Sequence, residues 1–146
     1  MPQKQTKSTE IKNLEVYQHA MLLERMVYRT EHKIPNKYKV LWKDVIVEAS
    51  AICDGICDAY HIPKDMFAEK FNAARFALSH LVRMERKLDI ANSPDVQAIS
   101  NEVRANYDIQ IHTVRVNLEQ WSNSLYKKME SVRQIPAVTP VGETSC

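Results

Sequence analysis

The chain has 146 residues, a net charge of +2 and only two glycines, Gly55 and Gly142. That length suits one domain with a core that needs no disulfides, and so few glycines disfavour a sheet built on tight hairpins. The mild charge does not by itself announce a nucleic-acid or membrane-surface protein.

No run of about 18 apolar residues occurs, so no transmembrane helix is expected. Met1 to Thr9 is polar and lacks the apolar core of a secretory signal. The three cysteines are an odd number, and two of them fall on one predicted helix, which points to a reducing, cytoplasmic setting.

Residues 1–8 read as a disordered leader. A first helix is expected from Ser8 or Thr9, turning Ile11, Leu14, Tyr17, Met21, Met26 or Val27, and Tyr28 toward a core. It should stop near Lys33, because Pro35 disfavours helical geometry at Ile34. Ile34-Pro35-Asn36 then reads as a turn with Ile34 tucked beneath it.

A second helix should start between Asn36 and Lys39. Leu41, Val45, Ala49, Ile52, Ile56 and Tyr60 form its stripe, and Val40, Trp42, Ile46, Cys53 and Cys57 widen it. So wide an apolar sector suggests more than one neighbour or another subunit. Gly55 at mid-helix costs about 1 kcal/mol relative to Ala, which a close helix crossing would explain. Pro63 ends the segment.

The third helix follows Ile62-Pro63-Lys64-Asp65. Phe67, Phe71, Ala74, Phe76 or Ala77, Leu78, Leu81, Met84 or Glu85, and Leu88 mark its inner side. The fourth is expected to begin at Ser93-Pro94, a good N-cap followed by a residue that suits the first helical position. Val96, Ile99, Val103, Tyr107, Ile111, Val114, Leu118, Trp121, Leu125, Met129 and Val132 then recur every three or four residues. From Ser93 to Val132 that is a helix of roughly 55–60 Å, so its part beyond Gln120 should project past the body or pack elsewhere. Residues 135–146 contain two prolines and a glycine without periodicity and read as a disordered tail. Together the segments predict an all-α, antiparallel up-down-up-down four-helix bundle over residues 9–134, with an extended last helix.

In that topology the first and third links share one end of the bundle. The first link region holds Arg25, Arg29, His32, Lys33, Lys37, Lys39 and Lys43, opposed only by Glu31; helix three adds Arg83, Arg86 and Lys87 beside Glu85. The other end carries Asp54, Asp58, Asp65 and Glu69. Two readings fit: cations that offset helix dipoles and keep the surface soluble, or a basic end that meets phosphates or an acidic partner. Lys127, Lys128 and Arg133 form a second basic group.

Catalytic chemistry is hard to find. Cys53, Cys57 and His61 stand at i, i+4 and i+8, where two could share one zinc ion, but cysteines so placed also serve as small core residues. No Glu-x-x-His, H-E-x-x-H, phosphate loop or nucleotide-binding glycine pattern occurs. Asp54 and Asp58 read as a solvated face. Trp42 and Trp121 could serve as core residues or as interface anchors, and Trp42, beside the basic turn, is the aromatic to test at an interface. The reading is therefore non-enzymatic, with no cofactor and no metal.

The order of features resembles a known family. The turn Lys33-Ile34-Pro35-Asn36-Lys37-Tyr38, the apolar helix Val40 to Tyr60, the run Asn72-Ala73-Ala74-Arg75-Phe76-Ala77-Leu78 through Leu81-Val82-Arg83, and the stretch from Ser93-Pro94 to Trp121-Ser122 are similar to the Avd-type proteins. These are accessory variability proteins of diversity-generating retroelements, with relatives encoded in intervening sequences of ribosomal RNA genes. The resemblance spans about residues 14 to 125. It implies a non-enzymatic homopentameric bundle that binds a reverse transcriptase and nucleic acid, RNA or DNA, through basic surface. This chain departs from the family in carrying a net charge of only +2. A protein-only helical adaptor, or a metal-binding bundle using Cys53, Cys57 and His61, are the rival readings.

Overall fold

The computed structural model describes Ile11 and residues 14–134. The expected leader over 1–8, the expected helix start at Ser8 or Thr9 and the expected tail over 135–146 lie outside the described residues. Four α-helices follow in order: α1 (Glu15–Thr30), α2 (Lys39–His61), α3 (Phe67–Asn92) and α4 (Asn101–Gln134). Two 3-10 turns, Glu31–Lys33 and Asn36–Tyr38, flank the Ile34-Pro35 link. Ile34 is buried under that link, as its apolar side chain between polar neighbours requires. No strand occurs among the described residues. The protein is an all-α four-helix bundle.

Each helix packs on its neighbours in sequence, and α1 closes the cycle against α4. The pairings run in opposite chain senses. Trp42 meets Val27 while Ser50 meets Glu24; Gly55 faces Ala77 while Lys70 reaches Ala59; Phe71 meets Tyr126 while Asp89 meets Arg104. The core runs the length of the bundle through Leu23, Val27, Trp42, Ile52, Ile56, Leu81, Met84, Leu88, Tyr107, Ile111 and Leu118, all at or below 1 % exposure.

Gly55 explains itself at the α2–α3 crossing. A Cβ built there would stand 3.1 Å from the Cβ of Ala77. Glycine and alanine let these two helices approach more closely than any larger pair would, and the packing of α3 on α2 depends on it.

Helix ends bury carbonyls that side chains of other helices satisfy. Trp42 Nε1 donates to Val27 O at 3.0 Å, and Tyr107 OH donates to Met26 O at 3.0 Å. Lys39 Nζ donates to Glu31 O at 2.6 Å. Val27 O is one of the acceptors that the last turn of a helix leaves without an intrahelical donor, whereas Met26 O also accepts from Thr30 Oγ1 at 2.9 Å and Glu31 O from Ile34 N at 3.1 Å. Lys70 does the same for the end of α2, donating to Ala59 O at 2.7 Å and Tyr60 O at 3.3 Å.

Three expectations need correction. The last helix starts at Asn101, not at Ser93-Pro94. Ser93 instead ends α3, its Oγ donating to Ile90 O at 2.8 Å, and Ser100 is the cap, accepting from Val103 N at 3.1 Å. Between them the chain turns over Gln97, which holds a positive φ of 47°, while Asn92 donates to Ile99 O and anchors the loop. Val96 is half-buried and Ile99 buried, so the loop mimics a helical stripe. Because the helix begins later, its end does not project. Leu125 is buried, Tyr126 stacks with Phe71 at 5.6 Å, and Met129 is half-buried against the start of α3. Finally, Tyr28, expected in the core, is 51 % exposed, and Val27 takes the inner position.

Gly55→Val should force the α2–α3 crossing apart and lower stability by about 2 kcal/mol, as overpacking does. Adding Ala77→Gly should recover part of that loss. Urea unfolding of the single and double variants measures both.

A candidate nucleic-acid and partner interface

The sequence-named basic residues separate into three environments. Arg25, Arg29, Lys33, Lys37 and Lys43 are exposed, and no ion pair engages them among the described residues. Lys39 is half-buried and spends its ammonium on Glu31 O. Arg83 and Arg86 are exposed on α3.

Lys87 does not belong to the basic surface. Its Nζ donates to Glu48 Oε2 at 2.8 Å, and Glu48 Oε1 accepts from His80 Nδ1 at 2.6 Å. The three side chains are only 9 to 20 % exposed. A carboxylate buried on α2 must be neutralised, and α3 supplies both donors. Burial alone would raise the Glu48 pKa, but the hydrogen bonds and charges of Lys87 and His80 outweigh it and hold the carboxyl below its usual value.

The shared end of the bundle is also less uniform than its first link suggests. The α3–α4 corner exposes Asp89, Asp95, Glu102 and Asp108, and Arg104 is held between Asp89 and Asp108 at 2.7 Å from each. Positive potential is therefore concentrated at the α1–α2 corner. At the far end Asp54, Asp58, Asp65 and Glu69 are exposed, as expected, but Lys64, Lys127 and Lys128 stand among them.

Two aromatics settle the character of this corner. Trp42, open from the sequence as core or interface, is core: it has 0 % exposure, its indole N–H is committed to Val27 O, and its ring meets Tyr107 edge-on at 6.0 Å. Tyr28 stands exposed on the last turns of α1, between Arg25 and Arg29 in sequence. The Trp42–Val27 contact sets Lys43 at about the same height as Tyr28. Tyr38 is half-buried with Lys37 Nζ 5.2 Å above its ring. The corner thus combines five exposed cations with an open aromatic face. The signal for Tyr28 was its spacing: three positions after Arg25, it lies near that exposed arginine's face of the helix.

Cys53, Cys57 and His61 do not converge. Cys53 is buried beside Glu24, and burial first, then that carboxylate, push its thiol pKa up. Cys57 Sγ lies 3.6 Å from His61 Nδ1, and that nitrogen lies 2.9 Å from Cys57 O. No group of three or more His, Cys, Asp or Glu is placed to hold a metal ion among the described residues. No helix there is long and apolar enough to cross a membrane.

No protein-family model matches this chain, and no curated protein matches it either.

The Glu48 carboxyl is held below its ordinary value of 4.5 when folded. Its stabilisation is therefore complete above that pH and lost as pH falls through the lower folded value. Glu48→Gln should cost about 1–3 kcal/mol at pH 7 and flatten the acid limb of the stability profile, as read by thermal melts between pH 7 and 3. Lys70→Met, which leaves the end of α2 uncapped, should cost about 1–2 kcal/mol with no change in that limb.

Proposed function

We propose that this chain is a non-enzymatic accessory protein of a diversity-generating retroelement. In this reading it self-assembles, in the five-copy form that the family resemblance implies, and binds a reverse transcriptase together with its template RNA. The observation that carries the reading is the α1–α2 corner, where Arg25, Arg29, Lys33, Lys37 and Lys43 stand exposed together with Tyr28, and no ion pair engages those five cations among the described residues. Five cations on one corner of a chain with net charge +2 is a concentration that dipole compensation does not require. Clustered Lys and Arg suffice to hold a phosphate backbone, and an exposed tyrosine offers a face on which an unpaired base can stack.

Arg25, Arg29 and Lys43 sit on two helices pinned together through Trp42 and Val27, and Lys33 and Lys37 on the short 3-10 turns that join them, so the charge array is positioned before any partner arrives. Arg83 and Arg86 supply a separate basic strip, and Lys87, bound to Glu48, supplies none. The basic group Lys127, Lys128 and Arg133 is weaker, since Arg133 pairs with Glu130 at 2.8 Å and Lys128 sits over the Phe67 ring.

The triple change Lys33→Glu, Lys37→Glu, Lys43→Glu should weaken binding of a labelled single-stranded RNA at least tenfold. It should also reduce the slope of log affinity against log salt by about 2. Tyr28→Ala should cost about 1–3 kcal/mol of binding with the salt slope unchanged. Fluorescence anisotropy across a salt series reads both. Wild-type binding of reverse transcriptase alone, insensitive to salt and to the triple change, would instead identify a protein-only adaptor.

A further inference from the structure

The end of the bundle opposite the basic corner holds an open groove of about 540 Å³ between the start of α3 and the last turns of α4. Met66, Phe67, Ala68, Met129 and Val132 form its apolar lining. Met66 is 40 % and Val132 50 % exposed, and Phe67 and Met129 are half-buried. One turn further along the same pair of helices, Phe71 and the exposed Tyr126 stack at 5.6 Å, so the apolar strip continues past the groove. Aromatic rings beside flexible methionines make a surface that reshapes around an apolar segment.

α4 delivers the chain to this groove. Arg133 borders it, and Gln134 is the last residue of the helix. The sequence then reads Ile135-Pro136-Ala137-Val138-Thr139-Pro140-Val141, with no charged residue before Glu143. Pro136 disfavours helical geometry at Ile135, and proline suits the second position of a reverse turn. Pro140 favours extended geometry at Thr139. Val138 and Val141 stand three positions apart, the repeat of a polyproline II segment, in which side chains at that spacing share one edge. The prolines that deny these residues a helical period are what suit them to a groove.

We propose that the chain turns back at Pro136 and lays Val138 and Val141 into this groove. The occupant is residues 135–141 of the same copy. An extended segment from Pro136 to Val141 covers about 15 Å, and the helix from Tyr126 to Gln134 rises about 12 Å. The segment can therefore run the length of the strip, from Val132 back to Phe71 and Tyr126. Aromatic-lined grooves take polyproline II segments because such a ligand loses little conformational freedom on ordering.

Tethering strengthens the contact. A short link holds the segment near the groove at an effective concentration on the order of 1 mM. A contact with a dissociation constant of about 0.1 mM between separate molecules is then about 90 % formed within one. The inference is independent of the proposed function, because the basic corner lies at the other end of the bundle.

The test is methyl NMR on the full chain labelled at methionine and valine methyls, with circular dichroism as the folding control. Cross-relaxation should link the methyls of Met66 and Met129 to those of Val138 and Val141. In the variant Val138→Asp with Val141→Asp those contacts should vanish and the Met66 and Met129 methyls should shift. The Met84 methyl, fully buried in the core, should stay where it is. Both substitutions lie beyond the last helix, so they leave the packing of the bundle untouched. A mixed sample, with methionine labelled in one population and valine in the other, should show no contact. Absence of the contacts in wild type, or Met66 and Met129 methyls indifferent to the double change, would overturn the docking. Contacts in the mixed sample would also overturn it, assigning the groove to the same segment of a second copy.

Discussion

The indole N–H of Trp42, buried and bonded to Val27 O, is the contact on which the candidate basic corner depends. A buried N–H without an acceptor costs about 1–3 kcal/mol, so α1 and α2 are held at one relative height. Tyr107 reinforces the same end, donating to Met26 O while its hydroxyl sits 2.7 Å from Thr30 Oγ1. Burial pushes the Tyr107 phenol up to about 12, so it keeps its donor at any ordinary pH. Because these bonds fasten the last turns of α1, the cations that follow ride on a fixed platform and not on a loose loop.

Polar groups inside this bundle join helices wherever packing alone would permit sliding. Glu48 takes donors from His80 and Lys87 across α2–α3, Ser50 donates to Glu24 across α1–α2, and Gln110 donates to His19 O across α1–α4. Arg115 pairs with Glu85 across α3–α4. Apolar stripes of similar period tolerate a shift by one turn; directional bonds between specific heights do not. The Gly55–Ala77 approach adds a steric check on the same register.

Much of this was legible in the chain. Periodicity located four helices because apolar residues every three or four positions admit little else, and Pro35 and Pro63 marked the first two boundaries. Gly55 announced its crossing because a glycine in mid-helix needs a reason. The start of α4 was misplaced because Val96 and Ile99 continue the spacing of Val103 and Tyr107 although they lie in a loop. Periodicity records burial, not backbone conformation. At the candidate site the exposed cations were readable from clustering, but the fate of Lys87 was not. Nothing local to Lys87 reveals that a carboxylate thirty-nine positions away faces it. The burial of Trp42 and the exposure of Tyr28 were not legible for the same reason: both lie on borders of an apolar sector, where tertiary contacts decide which side is covered.

The central claim is that the α1–α2 corner, not the α3 strip or the end of α4, meets nucleic acid. The most direct measurement is backbone amide chemical-shift mapping during titration with a short single-stranded RNA. The account predicts changes concentrated between Arg25 and Lys43, with Tyr28 among the largest. Changes centred on Arg75 to Arg86 or on Lys127 to Arg133, or none at saturating RNA, would contradict it.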